Sequence, residues 1–369
     1  MRNSIIIIVI VIILIIIFAA MLTPTKNIPR THGGFNSHGN ILISDQFNNR
    51  VVEINIKGEI VWSYGLGPTD FSTQSIIGVN DAQRVGKYTL MAGTGTPAGV
   101  ISQAPGGVAD NRVILVDPEG HIVWQYGQFG VSGSGPNMLS TPTQCTFIPK
   151  RHPNNHVLKG TVLITDQGNN RIIEVDENQN IVWSYPGNNH NPSDQLLSPN
   201  SAERLWNGNT LIADEGNNRA IEVDVNYNVV MMYTANGTLG ACAFASRLHD
   251  GHVLLTDASN SRIVEVNAND HVIWQYFTNQ DALSNPAPSP SRGIRLRNGN
   301  TLISDQYNNR VLIVSPTNNV VANFGLPLNG STGIVGTNNG YDIRTVQLGL
   351  YGPYDAKALG DWTGLTRPF

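Results

Sequence analysis

The chain is poor in the residues that advertise chemistry. Its 369 residues include only two cysteines, Cys145 and Cys242, in no CxxC pair and with no clustered histidines around them. Such a pair makes a poor zinc site and no disulfide framework, so both read as buried small apolar residues. Charged residues are only 14% of the chain, the formal charge is −4 and no basic run occurs. Nothing in that balance supports nucleic-acid binding. HExxH and EF-hand patterns are also missing. The polarity comes instead from Asn, Gly, Ser and Thr, a composition compatible with life outside the cytosol.

What the chain has in quantity is repetition. Asp-x-x-Asn-Asn-Arg followed by two short β runs recurs as DQFNNRVVEINIKGEIVWSY from Asp45, DQGNNRIIEVDENQNIVWSY from Asp166 and DEGNNRAIEVDVNYNVVMMY from Asp214. Related copies start at Asp257 and Asp305, and a sixth, ADNRVILVDPEGHIVWQY from Ala109, lacks the leading aspartate. The arginines Arg50, Arg112, Arg171, Arg219, Arg262 and Arg310 are spaced at, or slightly beyond, the length of a propeller blade. Runs of about five residues, rich in Val and Ile and bounded by Gly and Asn, predict strands joined by tight turns. A lone four-stranded sheet with two apolar faces needs a neighbour on each side, and a ring of such sheets supplies it. The expected fold is all-β: a six-bladed β-propeller with four-stranded antiparallel blades.

Inner strands are expected near Thr31, Asp81, Thr143, Asn200, Phe244 and Arg292. Blade one then draws its four strands from one continuous stretch, and closure rests on side-chain packing and the tail. Within that tail, TVQLGLYG (Thr345 to Gly352) suits pairing with an exposed edge; the alternative is a cap on one face. The expected organisation is a membrane anchor over 1–24, a linker over 25–30, the propeller over 31–325 and a closing or capping tail over 326–369.

Residues 5–22 form an uninterrupted apolar run, IIIIVIVIILIIIFAAML. At 1.5 Å per residue it covers about 27 Å, close to the hydrocarbon thickness of a bilayer. An uncleaved transmembrane signal-anchor in contact with membrane lipid is preferred to a cleaved signal peptide, because the run exceeds a normal h-region and no clear Ala-x-Ala follows. The propeller is then extracytosolic on a single-pass protein, or secreted if the segment is removed. Asn236 and Asn329 lie in sequons and are candidate glycosylation sites.

Because Asp45, Asp166, Asp214, Asp257 and Asp305 recur together with their arginines, a structural role is expected: a carboxylate accepting turn amides and pairing with the arginine. Trp62, Trp124, Trp183 and Trp274 recur too and read as a packed scaffold layer. The six units resemble NHL repeats, whose feature is an Asp followed by Asn and Arg before a strand; the resemblance covers about Thr31 to Phe324. Blade two departs from it at Gly93 and in the Gly- and Pro-rich insertion that runs to Asp110. The IVWSY strand ends are similar, more weakly, to arylsulfotransferase-like and quinoprotein-like propellers. Such families include binding proteins, lyases and hydrolases, so the resemblance implies a scaffold and leaves the chemistry open.

Function is therefore sought where blades differ. Near the inner strands stand His32, Asp81, Gln83, Arg84, Thr143, Gln144, Asn200, Ser201, Glu203, Arg204, Arg247, His249, Arg292 and Arg295. Arg84, Arg204, Arg247, Arg292 and Arg295 make an arginine-rich funnel suited to an anionic or glycan-like ligand, or else a further structural repeat. An enzyme would use His32 or His249 as base, Asp81 or Glu203 as its orienting or metal-binding partner, and the arginines for anion stabilisation. The leading expectation is a scaffold that binds a protein or a glycan through its loops, without a cofactor. The alternatives are a metal-assisted lyase or esterase using Ca or Zn, an arylsulfotransferase-like enzyme, or a structural surface protein.

Overall fold

A computed structural model describes residues 34–149, 158–186, 194–280, 284–325, 344–346 and 348–361. Thr31, His32, Asn329 and residues 5–22 lie outside them. Six sheets of antiparallel strands form the blades; the sixth carries a fifth, parallel strand. Blade four shows the design: Ser201–Arg204, Thr210–Asp214, Arg219–Val223 and Val229–Tyr233 follow one another outward through antiparallel pairs. Each of six apolar clusters lies between two adjacent blades. One joins Val113 and Leu115 of blade two to Phe147 and Ile164 of blade three, and the last joins Leu312 of blade six to Leu254 of blade five. Packing of sheet on sheet all the way round is what the two apolar faces of each blade require.

The ring closes through a strand. Pro353–Ala358 pairs antiparallel with Ile41–Asp45 and is the innermost strand of blade one. Blade one thus mixes the two ends of the chain, in place of the expected continuous stretch. The edge of Ile41–Asp45 would otherwise present unpaired backbone groups to the channel. Upstream in the tail, Arg344–Val346 pairs with the outer strand of blade six at Ala322 to Phe324, an exposed-edge pairing of the kind expected.

The Asp-x-x-Asn-Asn-Arg motif builds one turn repeatedly. In blade three, Asp166 ends the second strand, Gln167–Asn169 makes a 3₁₀ turn, and Asn170 takes the left-handed conformation at φ 52°. The first Asn donates from Nδ2 of Asn169 to Asp166 Oδ2 at 2.8 Å, and Arg171 Nε donates to the same oxygen at 2.7 Å. Asp166 Oδ1 accepts the Ser140 N–H at 2.7 Å, while Asn170 Oδ1 accepts the Ser198 N–H of blade four at 2.7 Å. One Asn therefore holds the aspartate and the other ties its blade to the next. Asp45, Asp214, Asp257 and Asp305 pair with Arg50, Arg219, Arg262 and Arg310 at 2.7–2.8 Å. Blade two reaches the same end differently: Asp110, just ahead of Arg112, accepts from Arg112 Nε at 2.5 Å and from the Ile77 N–H at 2.7 Å.

A second repeated contact runs between blades. Arg84, Arg204, Arg247 and Arg295 each pair with a glutamate of the preceding blade: Glu53, Glu174, Glu222 and Glu265. Each guanidinium also lies over an aromatic ring of that blade, Trp62, Trp183, Tyr233 and Trp274 respectively. Trp62, Trp124 and Trp274 donate from Nε1 to carbonyls of the following blade at 3.1–3.2 Å.

Candidate functional site

The inner strands are tied blade to blade around the axis. Their polar side chains accept backbone N–H groups of the next blade: Asp81 from Cys145 at 3.1 Å, Gln83 from Phe147 at 2.8 Å, Gln144 from Ala202 at 2.6 Å and Glu203 from Arg247 at 3.0 Å. Lys357 of the closing strand bonds Asp81 Oδ1 at 2.6 Å, the Ala82 carbonyl at 2.9 Å and Asp355 Oδ2. All three of these charged side chains are buried. Burial pushes both thiols, Cys145 and Cys242, well up, and neither is in a disulfide.

Arg292 occupies the axis above them, 1% exposed. It donates to Asn200 Oδ1 at 3.1 Å and to the carbonyls of Ala243, Ser291 and Thr143 at 3.0–3.3 Å, touching blades three to six. Phe244 and Tyr354 flank its guanidinium. No carboxylate among the described residues pairs with it directly.

Above Arg292 the channel opens into a cavity of about 600 Å³ on the face that carries the Asp-x-x-Asn-Asn-Arg turns. All six blades contribute to it, largely through one position. The residue after the repeat aspartate, or its equivalent after Gly93, is Gln46, Thr94, Gln167, Glu215, Ala258 and Gln306 in turn around the ring, and each lines the cavity. The motif fixes the turn and aims the variable residue inward. The blade-two insertion folds over the same opening: Thr96 to Ala98 and Gly106 to Ala109 line it, with Thr96 and Val108 bridging the two limbs. Gly107 sits at φ 76°, where an added Cβ would fall 2.7 Å from the Thr96 carbonyl oxygen.

The lining mixes polar and apolar surface about equally and is nearly uncharged. Glu215 is the ionisable carboxylate on it, and burial raises its pKa against the opposing effects of its Asn200 hydrogen bond and the Arg292 charge. Asn200 Nδ2 donates to Glu215 Oε2 at 2.8 Å and to the Tyr354 hydroxyl at 2.7 Å. Burial pushes Tyr354 up to about 12, so its hydroxyl keeps its proton. Across the cavity, Gln306 Nε2 donates to Gln46 Oε1 and Gln46 Nε2 to Asn80 Oδ1, both at 2.7 Å. Tyr307 stands at the lip, 47% exposed.

The residues singled out on the sequence distribute differently. Arg292 lies directly beneath the cavity, whereas Arg84, Arg204, Arg247 and Arg295 stand in the blade-to-blade pairs. Asp81 is held by Lys357 deep in the channel, Glu203 is buried in the inner ring and His249 is exposed on the opposite face. The cavity position is not among the residues singled out on the sequence; it is one of the two unspecified positions in the motif and is Gln in three of the five copies. Asn236 is exposed at φ 57°, and its sequon partner Thr238 bonds the Ala235 carbonyl and Arg262.

A second cluster lies at the far end of blade five. Asp250, His252 and Glu265 bring ligand atoms within 4.8 Å of one another and can together hold a metal ion. His252 Nδ1 is 2.8 Å from Glu265 Oε1 and 3.1 Å from Asp250 Oδ2. The same position is asparagine in blades one and four, where Asn40 and Asn209 donate to Glu53 and Glu222 at 2.6 Å.

This architecture defines a six-bladed β-propeller with a nearly uncharged cavity at one mouth of its channel. No protein-family model matches the chain, and no curated protein matches it in sequence. Among solved structures, it is similar to a protein of unknown function from Bacteroides caccae, at 14% identity over 77% of this chain and 93% of that one, with a TM-score of 0.51. It also resembles virginiamycin B lyase from Staphylococcus aureus (12% identity, 81% of this chain, 85% of that one, TM-score 0.48) and a streptogramin B lyase (12%, 81% and 83%, TM-score 0.49). At these identities the likeness is one of fold.

Proposed function

We propose that the protein is a binding module of NHL-type blades, tethered to a membrane through residues 5–22, that captures the polar end of a glycan or protein ligand in the cavity outside the cytosol. The observation that carries this reading is the convergence of one variable position from all six blades on a single cavity. A rigid ring with variable side chains at its mouth is how propellers and loop-bearing scaffolds build specificity. The NHL assignment is supported by the Asp-Asn-Asn-Arg turn. The tether is supported by the length of the apolar run; among the described residues no helix is long and apolar enough to cross a membrane. Screening the soluble propeller, starting at Thr25, against glycans and peptides tests the reading. Binding that is lost in Tyr307→Ala and Glu215→Gln supports it; binding indifferent to both refutes the cavity as the site.

An enzymatic reading has one specific observation in its favour, the raised carboxyl of Glu215 beside Arg292, an arrangement suited to proton transfer next to a developing negative charge. A metal-assisted lyase or esterase would in addition load Asp250, His252 and Glu265, whose imidazole and carboxylates suit Zn more than Ca. Both Glu265 oxygens are already engaged, by His252 and Arg295. The cluster also lies at the end of the blade opposite the cavity. Metal analysis of the purified protein separates the readings: a stoichiometric ion favours the enzyme, and a metal-free protein that still binds ligand favours the module.

A further inference from the structure

We propose, building on the cavity reading above, that the cavity selects a saccharide terminus by reading adjacent hydroxyl groups through two opposed donor–acceptor pairs. Asn80, Gln46 and Gln306 are 3%, 5% and 7% exposed, and they form a chain of three side-chain amides on one wall. A chain of three amides bonded head to tail ends in one unused NH2 group and one unused carbonyl, whichever way the chain runs. Here the ends are Asn80 Nδ2 and Gln306 Oε1, neither with a hydrogen bond among the described residues. The opposite wall repeats the arrangement. The Tyr354 hydroxyl accepts from Asn200 and keeps its proton for donation, while Glu215 Oε1 accepts no hydrogen bond among the described residues.

A hydroxyl is the group that donates and accepts at once, so neighbouring hydroxyls on one ring satisfy a donor–acceptor pair without moving charge into the cavity. An anionic ligand would meet Glu215, and a purely apolar one would cover four polar groups without pairing them. Tyr307 at the lip and Phe47 on the wall supply ring faces for the C–H side of a sugar. About 600 Å³ accommodates one or two hexose rings.

The test is calorimetric titration of the soluble propeller with methyl hexopyranosides of gluco, galacto and manno configuration and their monodeoxy analogues. One configuration is expected to bind, its deoxy analogues at least ten-fold more weakly. Gln46→Leu, which severs the amide chain, is expected to abolish binding. Tyr307→Ala, at an exposed position that does not threaten folding, is expected to weaken it about ten-fold. Saccharide binding unaffected by both variants overturns the assignment of site. Peptide binding that is sensitive to Tyr307→Ala, with no saccharide binding, overturns the sugar proposal and leaves the cavity reading standing. No cavity-dependent binding of either class defeats both.

Discussion

Asp305 is 0% exposed, and its Oδ1 accepts no backbone N–H among the described residues, with the Thr278 hydroxyl as a neighbouring side-chain donor. In blades one, three and four the residue that donates its N–H to the aspartate also accepts, through its carbonyl, from the second residue after that aspartate: Tyr351, Ser140 and Leu197 do both. In blade six the accepting carbonyl belongs to Pro288, which takes the Tyr307 N–H at 2.9 Å and has no N–H to offer. Burial raises the Asp305 pKa, against the pull of Arg310, Asn308 and the Thr278 hydroxyl. Pro288→Ala is therefore expected to stabilise the protein by about 1 kcal/mol, a charged hydrogen bond gained less the freedom restored to the unfolded chain. Chemical denaturation measures it, and a lower midpoint refutes the equivalence. The interblade pairs rank by burial. Arg84→Ala leaves Glu53, itself fully buried, without its cation and is expected to cost about 3 kcal/mol. Arg204→Ala, at a pair with both partners partly exposed, is expected to cost about 1 kcal/mol. Equal losses on unfolding would show that burial does not govern these pairs.

At the scale of elements, the closing strand carries both stability and a pH signature. Burial pushes Asp355 up to about 6, with Lys357 opposing and Asp81 adding to the shift. The folded protein thus takes up this proton at a higher pH than the unfolded chain does. Its contribution to stability declines as pH rises from 3.8 to about 6 and is level above. Asp355→Asn removes that slope, so the variant is expected to gain on the wild type in unfolding midpoint between about pH 4 and pH 7. A constant difference across that range would refute the titration. This strand was also the hardest element to read. PYDAKA has no Val or Ile alternation and buries Asp355 and Lys357, and the second carboxylate on Lys357, Asp81, comes from blade two. The outer strands, by contrast, were legible because each needs only its own hairpin neighbours. The motif turns were legible for the same reason, since Asp, Asn, Asn and Arg bond within one local loop. Blade two broke the pattern visibly at Gly93, but the local sequence does not say that Asp110 replaces the missing carboxylate or that the insertion folds over the mouth.

At the scale of the whole molecule, the cavity opens on one face of the ring and the chain enters the ring at the other. The chain enters the described region at Gly34 and runs to Asn40, where it meets the end of blade one opposite the cavity; Asn36 Nδ2 there bonds the Gly86 carbonyl in a turn of blade two on that face. The apolar run of residues 5–22 lies only 11 residues before Gly34. A tether retained there would hold that face toward the bilayer and turn the cavity outward, with blade strands of four to eight residues between the two faces, or about 13–26 Å. Cysteine probes resolve this cleanly, because Cys145 and Cys242 are buried and their thiols are held protonated by burial, so an introduced exposed thiol labels alone. Lys87→Cys, in the exposed turn beside Gly86, and Ser102→Cys, on the exposed blade-two insertion, report the two faces. With the full-length protein in vesicles, a fluorophore at position 87 is expected to be quenched by nitroxide-labelled headgroups and one at position 102 to be spared. The opposite order would turn the cavity toward the lipid and place its ligand in the membrane. Quenching at neither position, with the protein released by alkaline carbonate, would show that residues 5–22 do not hold the propeller at a bilayer, and that the cavity works in free solution.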